Sequence, residues 1–180
     1  MESSGEILEQ KMSDSDKNLV EILEPGVAID IAKYINYVSS PQAGAIATFS
    51  GTTRDTFEGR TVVELSYEAY IPMAVRQLKT ICESARSSWG ILNAAIAHRI
   101  GSVPVGETSV FIAVSSVHRS EALDACKFMI DELKSSVPIW KKEVYSDGEV
   151  WKENKEFLTG RSCCKNKVRV DIENGNSTHD

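Results

Sequence analysis

Basic side chains stand at several points where strands or helices should hand over to loops: Arg54 in the run GTTRDTFEG, the pair His118 and Arg119, Lys134, and Lys141 with Lys142 just beyond Trp140. Rigid scaffolds present binding groups at such junctions. Residues 134–142 hold three lysines and no acid, so a local positive field there suits an anionic ligand. Each residue also has a plainer role open to it. His118 and Arg119 directly precede a helical pattern and serve equally as entry residues, and Lys134 in a last helical turn complements the helix dipole. Lys141 and Lys142 are consecutive in an extended segment, so their side chains point to opposite faces and at most one reaches a given pocket. Arg54 follows Gly51, Thr52 and Thr53, which add flexible backbone and hydroxyl donors, while Asp55 and Glu58 stand close enough in sequence to absorb its charge.

Other chemistry is poorly represented. There is no Walker sequence, no G-x-G-x-x-G, no H-E-x-x-H and no pair of C-x-x-C motifs, which removes the nucleotide and zinc signatures that carry a clear mechanism. Three histidines, one of them the penultimate residue, do not suggest a histidine metal centre. Cys163 and Cys164 are adjacent, lack the spacing of a zinc knuckle, and read as an incidental part of a polar tail. Cys82 and Cys126 fall on apolar helix faces, where a thiol packs, and four cysteines are too few to staple a secreted chain of this length. Reduced thiols are expected.

The elements that must position the basic residues follow from periodicity. Val27, Ile31, Tyr34 and Val38 mark a first helix, with Pro25 near its opening turn and Pro41 beyond its end. AGAIATFS (43–50) and TVVELSYEAY (61–70) read as strands, the latter with Val63, Leu65, Tyr67 and Ala69 on one face, and GTTRDTFEG between them reads as a loop. Pro72 opens a second helix, whose stripe is Ala74, Leu78, Ile81, Cys82, Ala85 and Trp89. NAAIAHRI and TSVFIAVSS are strands joined by the turn GSVPVGE. The third helix spans about Ser120 to Lys134, with Ala122, Cys126, Met129, Ile130 and Leu133 inward. PIWKKEVY (138–145) is a last extended segment, and its leading proline places it at a sheet edge. Helices interleaved with hairpin-like strand pairs predict an α+β domain: a mixed, largely antiparallel sheet with packed helices.

Composition bounds the organisation. At 180 residues, 42% of them hydrophobic and 26% charged, the chain accommodates one domain with a core rather than two. A net charge of −6 argues against wrapping nucleic acid, which takes a surplus of Lys and Arg over a contiguous surface. No run approaches the roughly 18 apolar residues of a membrane span, and residues 1–18 have neither the cationic start nor the apolar run of a signal peptide. A cytosolic protein without membrane contact is expected. Residues 1–24 carry seven acids against two lysines. With no apolar period in residues 1–18 and little to bury in 161–180, both ends are expected to be disordered tails around a domain at 19–160.

The stretches FSGTTRDTFEGR (49–60), LSYEAYIPMA (65–74), AHRIGSVPVGE (97–107), VSSVHRSEAL (114–123) and IDELKSSVPIWKKEVY (130–145), with WKENKE (151–156) behind, resemble the large, catalytic subunit of eukaryotic-type molybdopterin synthase, in that family's order. The resemblance implies the family's α/β hammerhead fold. It also implies a sulfurtransferase that moves sulfur from the C-terminal thiocarboxylate of a small ubiquitin-like subunit to cyclic pyranopterin monophosphate, making the dithiolene of molybdopterin in molybdenum cofactor biosynthesis. The assembly implied is a heterotetramer with a homodimer of large subunits at its centre, and neither metal nor cofactor is implied.

Residue by residue, Lys134 and Lys141 match the lysines credited with catalysis. Arg54, His118, Arg119, Lys142 and Glu143 match positions credited, with those lysines, with holding substrate, and Phe49 matches an aromatic near the partner's tail. The same fold also admits a non-catalytic adaptor that receives a ubiquitin-like C-terminus without turnover. Loss of either lysine would favour that reading, and both are present.

Overall fold

The computed structural model describes residues 17–152. In chain order the elements are β1 (Asn18–Leu23), α1 (Ile31–Val38), β2 (Ala45–Thr52), β3 (Thr56–Phe57), β4 (Arg60–Ala69), α2 (Ile71–Trp89), β5 (Asn93–Arg99), β6 (Gly101–Pro104), β7 (Thr108–Ser116), α3 (Arg119–Ser136), β8 (Ile139–Tyr145) and β9 (Gly148–Lys152). Four strands form one sheet in the order β1-β5-β7-β2, with β1 parallel to β5 and the other pairs antiparallel. The second sheet centres on β4, which pairs with β3, β6 and β8, and β9 follows β8. The class is the expected α+β.

Strand alternation divides the first sheet between two helical layers. Ala94 and Ile96 of β5 and Val110, Ile112 and Val114 of β7 face α2 and α3, meeting Leu78, Cys82, Met129 and Leu133. Their neighbours Ala95, Ala97, Phe111 and Ala113 face Tyr34 and Val38 of α1. Both faces of β5 and β7 are thus sealed, which is why these strands read as continuous apolar runs. Among the described residues no helix is long and apolar enough to cross a membrane.

Several details depart from the sequence expectations. β1 was not foreseen: Leu19 packs toward α1 while Val20 and Ile22 pack toward α2 and α3, so a strand apolar on both faces shows no alternation. It begins at Asn18, inside the expected tail, where the Arg86 guanidinium bonds the Asn18 side chain and the Lys17 carbonyl. The rest of the expected tails, with Cys163 and Cys164, lies outside the described residues. α1 starts at Ile31 rather than near Pro25, because Asp30 caps it by accepting from the Lys33 N–H, and Val27 is exposed. Pro25 instead packs against the β5–β6 corner, where a Cβ on Gly101 (φ +75°) would come within 2.9 Å of it. GTTRDTFEG contains β3, which folds back on β4, and GSVPVGE contains β6, a further partner of β4. β8 is not an edge strand: Pro138 precedes it, so no ladder donor is lost, and β9 covers its outer side.

The β4 face also changes. A register shift between Val62 and Glu64 turns Val62 inward and leaves Val63 51% exposed, opposite to simple alternation. Val62→Ala should therefore cost about 1.5 kcal/mol in a urea melt, two carbons of burial, whereas Val63→Ala should stay within about 0.5 kcal/mol.

His98 supplies a pH-dependent term. Burial lowers its pKa to about 4, and its Nδ1 donates to the Arg99 carbonyl at 2.7 Å. The unfolded chain binds a proton near pH 6.5 that the folded chain refuses, so this stability is present above pH 6.5 and is lost as pH falls toward 4. Between pH 7.5 and 4.5 the unmodified protein should lose about 1–3 kcal/mol more in denaturant melts than His98→Gln does.

Candidate active site

Burial of α3 against the first sheet decides where the basic residues stand. His118 occupies the cap position and Arg119 the first turn of α3, while Lys134 lies in its last turn, and all three are exposed. A helix rises ~1.5 Å per residue, so Arg119 and Lys134 stand about 22 Å apart along α3. Beyond Val137 and Pro138 the chain enters β8, and the Pro138 carbonyl accepts from the Tyr70 N–H at 3.2 Å, tying this turn to the start of α2. Lys134 and Lys141 flank that turn.

On β8, alternate residues share a face. Lys141 lies opposite Tyr67 of β4 and Glu143 opposite Leu65. The Glu143 side chain is buried, with the Lys141 ammonium 3.3 Å from one carboxylate oxygen and the Tyr145 hydroxyl donating to the other. The hydrogen bond to this carboxylate, with burial, pushes the Tyr145 phenol up to about 12. Arg60 stacks on the Tyr145 ring at 3.7 Å and pairs with Asp147 at 2.7 Å. A buried carboxylate is costly unless paired and hydrogen-bonded, and Lys141 and Tyr145 meet both needs. Lys141 keeps 40% of its side-chain surface and is the charge this face presents outward. The carboxylate of Glu143, expected as a substrate contact, is buried here between Lys141 and Tyr145.

Lys142 points the other way. It pairs with Glu149 at 2.9 Å and lies over the Trp151 ring at 5.5 Å. The Glu149 hydrogen bond raises its pKa, with Glu68 and Glu64 adding to the effect. Its face is acidic and aromatic, so one copy does not bring Lys142 together with Lys141.

Arg54 follows the end of β2 and lies over the Phe57 ring at 5.2 Å, and among the described residues no carboxylate pairs with it. The neighbouring Asp55 carbonyl accepts from Val62, five residues along β4 from Tyr67, which places this loop about 17 Å from the Lys141 register. Phe49 packs against the core on the helix face, its ring over Gly51, where a Cβ would lie 3.3 Å from Phe49 and 2.7 Å from Val110. Lys134 and Lys141 therefore flank one turn, while His118–Arg119 lie at the far end of α3, Arg54 in the loop after β2 and Lys142 on the opposite face of β8. Tyr67, Ser109, Tyr145 and Arg60 were not singled out from sequence. The period of two through Lys141, Glu143 and Tyr145 was the available signal for Tyr145. Tyr67 donates to Ser109 at 3.2 Å, which donates to the Gly51 carbonyl at 3.1 Å, so it links β4, the neighbour of the lysine strand, to the end of β2.

Among the described residues no three His, Cys, Asp or Glu side chains cluster as metal ligands. A family model described as MoaE protein matches residues 26–136. The chain belongs to the MoaE family. It is 62% identical over 182 residues to the molybdopterin synthase catalytic subunit of Arabidopsis thaliana, covering 89% of this chain and 92% of that one. To the subunit of the same name from Oryza sativa subsp. japonica it is 50% identical, over 94% of this chain and 98% of the relative. The crystal structure of molybdopterin synthase from Staphylococcus aureus superposes with a TM-score of 0.67 at 34% identity, covering 78% of this chain and 98% of that one. As a MoaE-family protein the chain has the role of catalytic subunit in molybdenum cofactor biosynthesis, an enzymatic role in making molybdopterin.

Glu143→Gln removes the buried charge from one ion pair and one hydrogen bond and should cost about 1.5–3 kcal/mol of stability in denaturant melts. A solvent-facing substrate ligand at this position would leave the melt unchanged.

Proposed function

We propose that this chain is the sulfur-transferring subunit of a molybdopterin synthase, moving sulfur from the C-terminal thiocarboxylate of a small ubiquitin-like subunit to cyclic pyranopterin monophosphate. The observation that carries this reading is the α3–β8 turn, which sets Lys134 and Lys141 on either side of an acid-free stretch with Lys141 held by a buried carboxylate. Donor tail and substrate phosphate are both anions, and fixed cations offset their repulsion and stabilise charge that develops during transfer. Lys134 and Lys141 are the catalytic pair in this reading. Arg54, His118 and Arg119 hold the phosphate-bearing substrate, and Phe49 lies along the route of the partner's tail. Lys142, on the acidic face, bears on substrate only if another chain approaches that face.

The separation along α3 gives the reading its assembly. One copy cannot place Arg119 and Lys134 on one small substrate across about 22 Å. In a two-fold dimer each surface patch meets its partner reciprocally, so the His118–Arg119 end of one copy completes the Lys134–Lys141 end of the other. The small subunits then occupy the two outer ends of a heterotetramer.

The test is reconstitution with the thiocarboxylated small subunit and cyclic pyranopterin monophosphate, following molybdopterin. Lys134→Ala should lower turnover by about 10²–10³, and Lys141→Ala strongly, since a preorganised charge lowers the barrier by ~2.7–4 kcal/mol. A helix-end lysine alone would contribute about 0.3–1 kcal/mol of stability and leave turnover unchanged. Lys134→Arg separates roles: retained activity marks a fixed charge, and a dead, folded enzyme marks chemistry by the amine. Mixing Lys134→Ala with Arg119→Ala chains under subunit exchange should restore about a quarter of full activity, because mixed two-fold dimers then carry one intact site. Absence of any recovery would place the whole site within one copy.

A further inference from the structure

Among the described residues Arg54 has no anchor of its own beyond the Phe57 ring, yet the residue before it is tied down at every polar group. Thr53 is 2% exposed; its N–H donates to the Glu107 carbonyl at 3.0 Å, its carbonyl accepts from Gly106 at 2.8 Å, and its hydroxyl donates to the Val103 carbonyl at 3.1 Å. All three partners belong to β6 or to the turn between β6 and β7, so the backbone entering Arg54 moves with that turn.

The turn is itself held from below. Arg99, at the end of β5, is 3% exposed, and its guanidinium donates to the Glu107 carboxylate at 2.6 Å and to the Thr108 carbonyl at 3.4 Å. Glu107 remains about half exposed. The buried Arg99 Nε has no hydrogen-bond partner among the described residues. A buried guanidinium with an unmet donor is a poor way to stabilise a corner, since apolar side chains of similar volume often do as well or better. What a charged guanidinium adds is a strong donor, Nη1, that holds the Glu107 carboxylate and the Thr108 carbonyl together.

We propose that Arg99 is a positioning residue for Arg54: through Glu107 it fixes the β6–β7 turn, and through Thr53 that turn fixes the arginine that receives the anionic substrate. The proposal rests on the reading of Arg54 as a substrate-holding residue. Thr53, which the sequence offered only as a neighbouring hydroxyl, becomes the mechanical link, and its hydroxyl is spent on Val103 rather than on an anion.

The test uses the full chain reconstituted with its thiocarboxylated partner and cyclic pyranopterin monophosphate. Glu107→Gln is preferred to truncating the buried Arg99, because position 107 is half exposed and glutamine keeps the side chain's size and an acceptor oxygen. Arg54→Ala should raise KM for the pyranopterin at least about tenfold, and Glu107→Gln about fivefold with kcat within a factor of two. The double variant should be no worse than Arg54→Ala alone, as expected when one residue acts only through the other. Amide hydrogen exchange at residues 53–55 should accelerate in Glu107→Gln without ligand, which checks the positioning step separately. Unchanged exchange, additive KM effects, or a lowered melting temperature with unchanged KM would each overturn the proposal. If Arg54→Ala leaves KM unchanged while exchange does respond, the assignment of Arg54 to substrate is what fails, and with it the functional half of the proposal.

Discussion

Burial of β5 and β7 on both faces is the constraint from which the rest follows. Two strands with apolar side chains above and below cannot stand at the surface, so α2 and α3 must cover one side and α1 the other. α3 is long because its inner stripe, from Ala122 to Leu133, spans that sheet. Its two ends then lie beyond the packed layer, which is where His118–Arg119 and Lys134 are exposed. The distance between the two cationic ends is a by-product of core packing.

The second sheet handles charge where the first handles apolar area. Alternation along β8 sorts three consecutive ionisable residues: Lys141 and Glu143 meet across one residue on the inner side, while Lys142 is sent out to Glu149 and Trp151. Of the two carboxylates, Glu143 is shielded from water and Glu149 is exposed, and a shielded carboxylate restrains its lysine far more firmly than an exposed one does. The Tyr67–Ser109–Gly51 chain of hydrogen bonds ties β4, which pairs with β8, to the end of β2, and the Arg99–Glu107–Thr53 chain ties that end to Arg54. The cations rest on one connected scaffold although they are far apart on it.

Sequence alone determined the class of fold, the three helices and most strands, because long periodic runs such as Ala74 to Trp89 report which face is buried whatever lies opposite. It also determined the family, through stretches such as VSSVHRSEAL and IDELKSSVPIWKKEVY, and with it the candidate residues, and alternation already placed Lys141 and Lys142 on opposite faces. Tertiary structure decided what depends on partners distant in the chain. β1 is a strand because β5 lies beside it, β8 is interior because β9 covers it, and Val62 rather than Val63 is buried because the β4–β8 register slips there. Glu143 is a counterion because Tyr145 and Lys141 enclose it, and Arg119 and Lys134 are separated because α3 crosses a sheet of fixed width. Periodicity records the face a residue shows to its own element, whereas burial of a charge, strand order and the span of a site are set by contacts between elements that no local pattern encodes.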